Sequence, residues 1–252
     1  MRISFKEVIE KGFSRNEELN KGNTKLNFTK IQHTVLRCCG VVIAKLLLYT
    51  PITANQVTVL GTIVLFLSAG LFSAGTFWYS LTAIILLFVA ECIDYADGVV
   101  ARCRKTSTRI QSMYLALLYH HSEFTLHYLG IGVGVFINTG NPIYILAGGI
   151  TAFFTMMAGM ASTLKKAALF KANYEKEKVT EHKKKKFSMF KLGMLVLNIP
   201  RKWVFVILII AFTINRLDIF VLFYAVYEPL RVIAYMTKNH LLLKKIEEKI
   251  NQ

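Results

Sequence analysis

The chain has 252 residues, 54% of them hydrophobic, and a mean hydropathy of +0.44. That is too apolar for an ordinary soluble domain and points to an integral membrane protein. The formal net charge of +16 would suit nucleic acid, but the basic residues are distributed along the chain as on a membrane protein, and no nucleic-acid partner is expected.

The first 27 residues are polar and lack an apolar core behind a basic start, so no cleaved signal peptide is expected and the first spanning helix does the targeting. Residues 29–50, TKIQHTVLRCCGVVIAKLLLYT, mix apolar positions with His33, Arg37 and Lys45. This pattern predicts a juxtamembrane amphipathic helix lying in the interface, within a cytosolic segment 1–50. The four cysteines, Cys38, Cys39, Cys92 and Cys103, lie in or near the membrane or on its cytosolic side, which argues against a disulfide framework.

A spanning helix needs about 20 mostly apolar residues. The run 46–90 carries no charge and is long enough for two, split by SAGT at 73–76, with helices predicted at 56–73 and 77–97. A second uncharged run, 124–164, is broken by TGNP at 139–142; its first helix begins near Ser112 and its second covers 142–164. The basic stretch 165–202 follows, with KKKK at 183–186. WVFVILIIAFTIN (203–215) is short for a span, and a last helix at 219–237 carries Glu228, Pro229 and Arg231. Glu228 and Arg231, three apart, read as an intrahelical ion pair. The fold expected is all-α, a polytopic bundle of about six helices over 51–237 followed by a cytosolic tail, 238–252; five or seven spans stay open. With the N-terminus inside, the inner segments hold 9, 4, 12 and 5 of the 31 Lys and Arg, and only Arg216 falls outside. Cytoplasmic loops collect such residues. The lysine-rich loop would also be drawn to anionic headgroups.

At the inner end of the second helix the sequence reads ECIDYADGVVARCRKTSTR (91–109). Carboxylates at membrane depth are expensive and usually functional. Glu91, Asp94 and Asp97 are three apart and share one helix face, so their charges repel unless a cation offsets them. Oxygen ligands suit Mg²⁺, Mn²⁺ or Ca²⁺ rather than zinc. Gly98 and Ala101 leave room for a ligand, and the Arg102 guanidinium suits a phosphate. Together these residues predict a pyrophosphate-containing substrate entering from the cytosol.

Asp94, Asp97, Gly98, Ala101 and Arg102 spell D-x-x-D-G-x-x-A-R, which resembles the first half of the signature of the CDP-alcohol phosphatidyltransferase family. TPITANQVT (50–58) is also similar to the start of that family's first membrane helix, with Ala54 where a proline is common. The resemblance covers 45–130. It implies a metal at Asp94 and Asp97, Mg²⁺ or Mn²⁺, substrate contacts at Gly98, Ala101 and Arg102, a CDP-alcohol and a lipid or other membrane-embedded acceptor alcohol as substrates, and a homodimer.

The family's second half, G-x-x-x-D-x-x-x-D, is degenerate. With one extra residue after Arg102 the three positions are Ser112, Ala116 and His120; without it they are Gln111, Leu115 and Tyr119, which leaves no base. The fourth aspartate, the general base by resemblance, is thus His120, and imidazole suits that role near neutral pH. Ala116 removes a ligand and a negative charge; either Glu91 or Glu123 partly restores the charge or the site holds one metal instead of two, and the favoured reading of Glu123 is a buried carboxylate paired with His120 or His127. The reading is a transferase that moves a phosphoalcohol group to an acceptor hydroxyl and releases CMP, in phospholipid or related glycoconjugate synthesis. A family member that has lost catalysis and serves as a binding or scaffold protein is the alternative, with a small ion-coupled transporter as a third.

Overall fold

The computed structural model describes residues 6–10, 28–104, 109–171 and 198–250. The regular structure in these residues is α-helical throughout, with no strand among them, so the chain is an all-α helical bundle. The helices are α1 (Phe28–Leu47), α2 (Ala54–Ser73), α3 (Phe77–Arg104), α4 (Arg109–Thr139), α5 (Ile143–Lys171), α6 (Ile199–Lys202), α7 (Val204–Thr213) and α8 (Leu217–Ile250), besides a helical turn at 6–10. Three have the length and composition to cross a membrane, Ala54–Ser73, Ile143–Leu169 and Leu217–Glu248, and α7 is shorter and apolar. α3 and α4, of 28 and 31 residues, exceed the span length while carrying the polar residues of the site. The lysine run at 183–186 lies outside the described residues. The chain divides into two compact units, Met1–Glu123 and Phe124–Gln252.

In the first unit, α2 starts at a capping box. Thr53 Oγ1 accepts from Gln56 N at 3.4 Å, and Gln56 Oε1 accepts from Thr53 N at 2.8 Å, which satisfies two of the donors a helix start leaves open. A turn at Ala74 and Gly75, the latter at φ 73°, returns the chain into α3. The two helices pack closely because Gly61 faces Ile93: a Cβ at Gly61 would sit 3.1 Å from Ile93 Cγ2. Higher up, Ser68 Oγ donates to the Ala83 carbonyl at 2.7 Å. The outer side of α2 presents Ile63, Phe66 and Leu67, all exposed, as a lipid-facing helix would.

α1 packs on the other side of α3. Its apolar stripe, Leu36, Val41 and Ala44, is buried, and Gly40 is the point of closest approach, where a Cβ would lie 2.7 Å from Tyr95 Cβ and 3.0 Å from the Cys92 carbonyl. Val8, from the turn at 6–10, joins the same cluster with Ala54, Ala96, Val99 and Val100. The helix expected to lie in the interface is therefore, in this structure, also part of the bundle around α3. Arg104 secures the link between α1 and α2: its guanidinium donates to the carbonyls of Leu47, Thr50 and Ile52, which close the open end of α1.

In the second unit, Gly140 at φ 70° and Asn141, whose Oδ1 accepts from Ile143 N at 3.0 Å, form the turn into α5. Gly132 and Gly148 bring α4 and α5 into backbone contact; a Cβ on Gly132 would be 2.6 Å from the Tyr144 carbonyl. α8 packs along α5 and continues past Pro229 to Ile250, so the expected boundary at 237 falls inside one helix. Tyr128, Phe220 and Tyr224 stack in its core with ring centroids 4.8–5.9 Å apart. The intrahelical pair is present: Arg231 Nε donates to Glu228 Oε2 at 2.9 Å, and Arg201 stands 3.7 Å from Glu228 Oε1.

Candidate active site

All the candidate residues lie in the first unit. On a helix, positions three and four apart stack on one side, so Asp94, Asp97, Gly98, Ala101 and Arg102 line one wall of α3 once that helix forms. They border a cavity of about 640 Å³. Ser112, Ala116 and His120 of α4 border the same cavity, as do Asn55 and Thr58 of α2 and Arg37 of α1. Of the two registers open for the degenerate half-motif, the one with the extra residue is therefore the one that faces the carboxylates. In the other register, Gln111 is bonded to Asn55 Nδ2 at 3.2 Å, and Tyr119 is buried.

The two aspartates differ. Asp97 Oδ2 lies 2.5 Å from Thr58 Oγ1, which fixes the carboxylate from α2. Asp94 has no hydrogen bond or ion pair from a protein group among the described residues, and it borders the cavity. Gly98 gives the Arg102 guanidinium its place: a Cβ there would be 3.4 Å from Arg102 Nη1. The imidazole of His120 is half exposed, with Nδ1 3.8 Å from Glu123 Oε2 and its ring edge-on to Tyr119. Nδ1 faces the carboxylate, which leaves Nε2 for a substrate.

Glu91 and Glu123 stand off the cavity wall. Tyr119 Oη donates to Glu91 Oε1 at 3.4 Å, and Glu123 is buried beside His120. Among the described residues no group of three His, Cys, Asp or Glu side chains is arranged to hold a metal. What remains is a pair of carboxylates on one helix turn, one anchored and one not. Mg²⁺ is commonly held by one or two carboxylates together with substrate phosphates and water. The pair fits one such ion. The Ala116 methyl, on the facing wall, offers no further donor.

Three residues of the cavity are not among the candidate site residues of the sequence, although Asn55 and Thr58 lie in the TPITANQVT stretch that resembles the family. Thr58 and Asn55 sit in the first turns of an apolar helix, and Arg37 sits in a helix read as interfacial. Only the packing of α1 and α2 against α3 brings them to the aspartates.

Residues 51–114 match the model of a known family, CDP-alcohol phosphatidyltransferase. The matched interval takes in α2, α3 and the start of α4, with Asp94, Asp97, Gly98, Ala101, Arg102 and Ser112. It ends before Ala116 and His120. None of the curated proteins compared with the chain matches it.

Proposed function

We propose that the chain is a member of the CDP-alcohol phosphatidyltransferase family, whose model matches residues 51–114, and that it is a multi-pass membrane enzyme that moves a phosphoalcohol group from a CDP-alcohol to an acceptor hydroxyl and releases CMP. The observation that carries this reading is the single cavity that joins Asp94, Asp97 and Arg102 to a histidine on the facing helix. The diphosphate lies against Gly98 and Ala101, where small side chains let it approach, and Arg102 neutralises phosphate charge. His120 Nε2 takes the proton of the acceptor hydroxyl, and the Glu123 carboxylate beside Nδ1 stabilises the imidazolium that forms. The acceptor oxygen bonds to the β-phosphorus as the bond from that phosphorus to the bridging oxygen breaks, and CMP leaves with that oxygen. A divalent cation, Mg²⁺ or Mn²⁺, held by Asp94 and Asp97 would supply positive charge to the phosphate oxygens.

The membrane arrangement follows the charge. Six spans with both termini inside leave the basic segments on the cytosolic side, with the cavity opening there. Phe77, Trp78 and Tyr79 are exposed at the start of α3, as residues of an interfacial aromatic belt are. Trp78 precedes Asp94 by 16 residues, roughly 24 Å of helix, which supports an aspartate pair near the inner headgroups. A lipid or membrane-embedded alcohol as acceptor, a role in phospholipid or glycoconjugate synthesis and a homodimer belong to the same proposal.

Ala116 favours a second reading, a member that binds nucleotide without turnover, because it puts a methyl on the cavity wall opposite the aspartates. One experiment separates them: CMP release by the purified protein in lipid, with a panel of CDP-alcohols and acceptors, in Mg²⁺, Mn²⁺ or EDTA. Turnover that is cation-dependent and lost in Asp94→Asn establishes the enzyme. No turnover with any pair, and its appearance in Ala116→Asp, would establish the second reading.

A further inference from the structure

The amphipathic helix α1 sends one side chain into the cavity. Arg37 borders it with Asp94, Asp97, Gly98 and Arg102. Its guanidinium carbon stands 5.8 Å from the centroid of the Tyr95 ring, so one face of the group is taken by an aromatic side chain. The guanidinium also hydrogen-bonds the Tyr95 side chain, which leaves Nη1 for a ligand. Nη1 of Arg37 is buried and has no hydrogen-bond partner among the described residues. Leaving such a donor unmade is costly, and more so on a charged group. No carboxylate among the described residues ion-pairs with it, although Asp94 and Asp97 line the same cavity.

The position is built, not incidental. Gly40 lies almost one turn further along α1 and touches Tyr95 Cβ and the Cys92 carbonyl, while Leu36, Val41 and Ala44 are buried. The helix cannot rotate about its axis without breaking that contact. Arg37 is therefore held toward α3 by packing, as a binding residue needs to be. A guanidinium set against an aromatic ring with a buried Nη1 still to be satisfied suits a phosphate. Arg102 reaches the cavity from α3 and Arg37 from α1, one cation for each phosphate of a diphosphate.

We propose that Arg37 binds a phosphate of the nucleoside diphosphate group, and that α1 is thereby a wall of the substrate site as well as a membrane-surface helix. This rests on the reading of the cavity given under Proposed function. Phosphate chemistry is shared by lipid headgroups, and the test distinguishes the two sources.

The probes are CDP and cytidine, bound at equilibrium with Mg²⁺ in excess to wild-type protein, Arg37→Gln and Arg37→Lys in phosphatidylcholine nanodiscs, and again in discs containing phosphatidylglycerol. A folding defect would weaken both ligands alike, so the ratio of the two affinities is read. The expected result is a loss of tenfold or more in the preference for CDP over cytidine in Arg37→Gln, and a smaller loss in Arg37→Lys, in both kinds of disc. An unchanged preference in Arg37→Gln overturns the proposal, and if phosphatidylglycerol stabilises wild-type protein alone, the headgroup is the partner instead. Wild-type protein that binds neither probe would overturn the reading of the cavity itself, and this inference with it.

Discussion

Thr58 Oγ1 lies 2.5 Å from Asp97 Oδ2 and 3.2 Å from the Ala54 carbonyl. A hydroxyl has one proton to give, and the shorter contact takes it. Thr58 thus orients one carboxylate of the pair from a different helix. Partners of this kind hold a ligand in its binding geometry, and their removal typically costs about 10–100-fold in metal affinity. Thr58→Val keeps the shape and deletes the donor. The Mg²⁺ concentration for half-maximal CMP release should rise by about that factor, while Thr58→Ser stays near wild type. A Thr58→Val protein with an unaltered Mg²⁺ requirement would show that Asp97 needs no such anchor.

The base is tested apart from the metal. His120 reaches the cavity from α4, with Nδ1 turned toward Glu123. His120→Ala should lower kcat by about 10²–10⁴-fold, the usual range for a positioned general base, with little change in the affinity for CDP. Rate and binding falling together would instead mark His120 as a wall of the nucleotide site.

The aspartate frame is legible in the sequence because it needs only one helix. Asp94, Asp97, Gly98, Ala101 and Arg102 share a face at helical spacing, whatever packs around α3. The helices themselves are legible from uncharged length and from SAGT and TGNP, which the structure places at turns around Gly75 and Gly140. The rest depends on rotation and pairing between helices, which no local pattern encodes. Arg37 lies on the polar side of an amphipathic helix, and its direction is set by the fit of Gly40 against Tyr95. Arg102 and Arg104 look alike in the sequence, yet two residues apart they point to different sides; Arg104 is used up by the carbonyls of Leu47, Thr50 and Ile52. Past residue 237, LLLKKIEEKI alternates apolar and paired charged residues at helical spacing, so α8 carries on where apolar content alone stops.

The packing of α1 against α3 predicts opposite outcomes at two helical glycines. A Cβ at Gly40 would lie 2.7 Å from Tyr95 Cβ, and neither backbone has room to yield; a Cβ at Gly70, on α2, meets nothing within 4 Å. Gly40→Ala should destabilise the protein by about 1–3 kcal/mol, the usual cost of overpacking. Gly70→Ala should be neutral or stabilise by roughly 0.5–1 kcal/mol through helix propensity. Thermal unfolding in detergent measures both. Equal effects would mean that α1 does not rest on α3 as described.

The second unit offers a test of buried charge. Glu228 is fully buried, is bonded to Arg231 through Nε at 2.9 Å, and has Arg201 as a more distant partner at 3.7 Å. Removing one partner of a buried pair leaves an uncompensated charge, which costs about 3–5 kcal/mol, whereas replacing both by apolar groups of similar volume is often neutral or stabilising. Arg231→Met should therefore lower the unfolding midpoint strongly. Glu228→Leu combined with Arg231→Met should recover most of the loss, less whatever Arg201 forfeits; that residue is about one-third exposed and reaches water. If Arg231→Met alone cost less than about 1 kcal/mol, the pair would be no stronger than a surface ion pair, despite its burial.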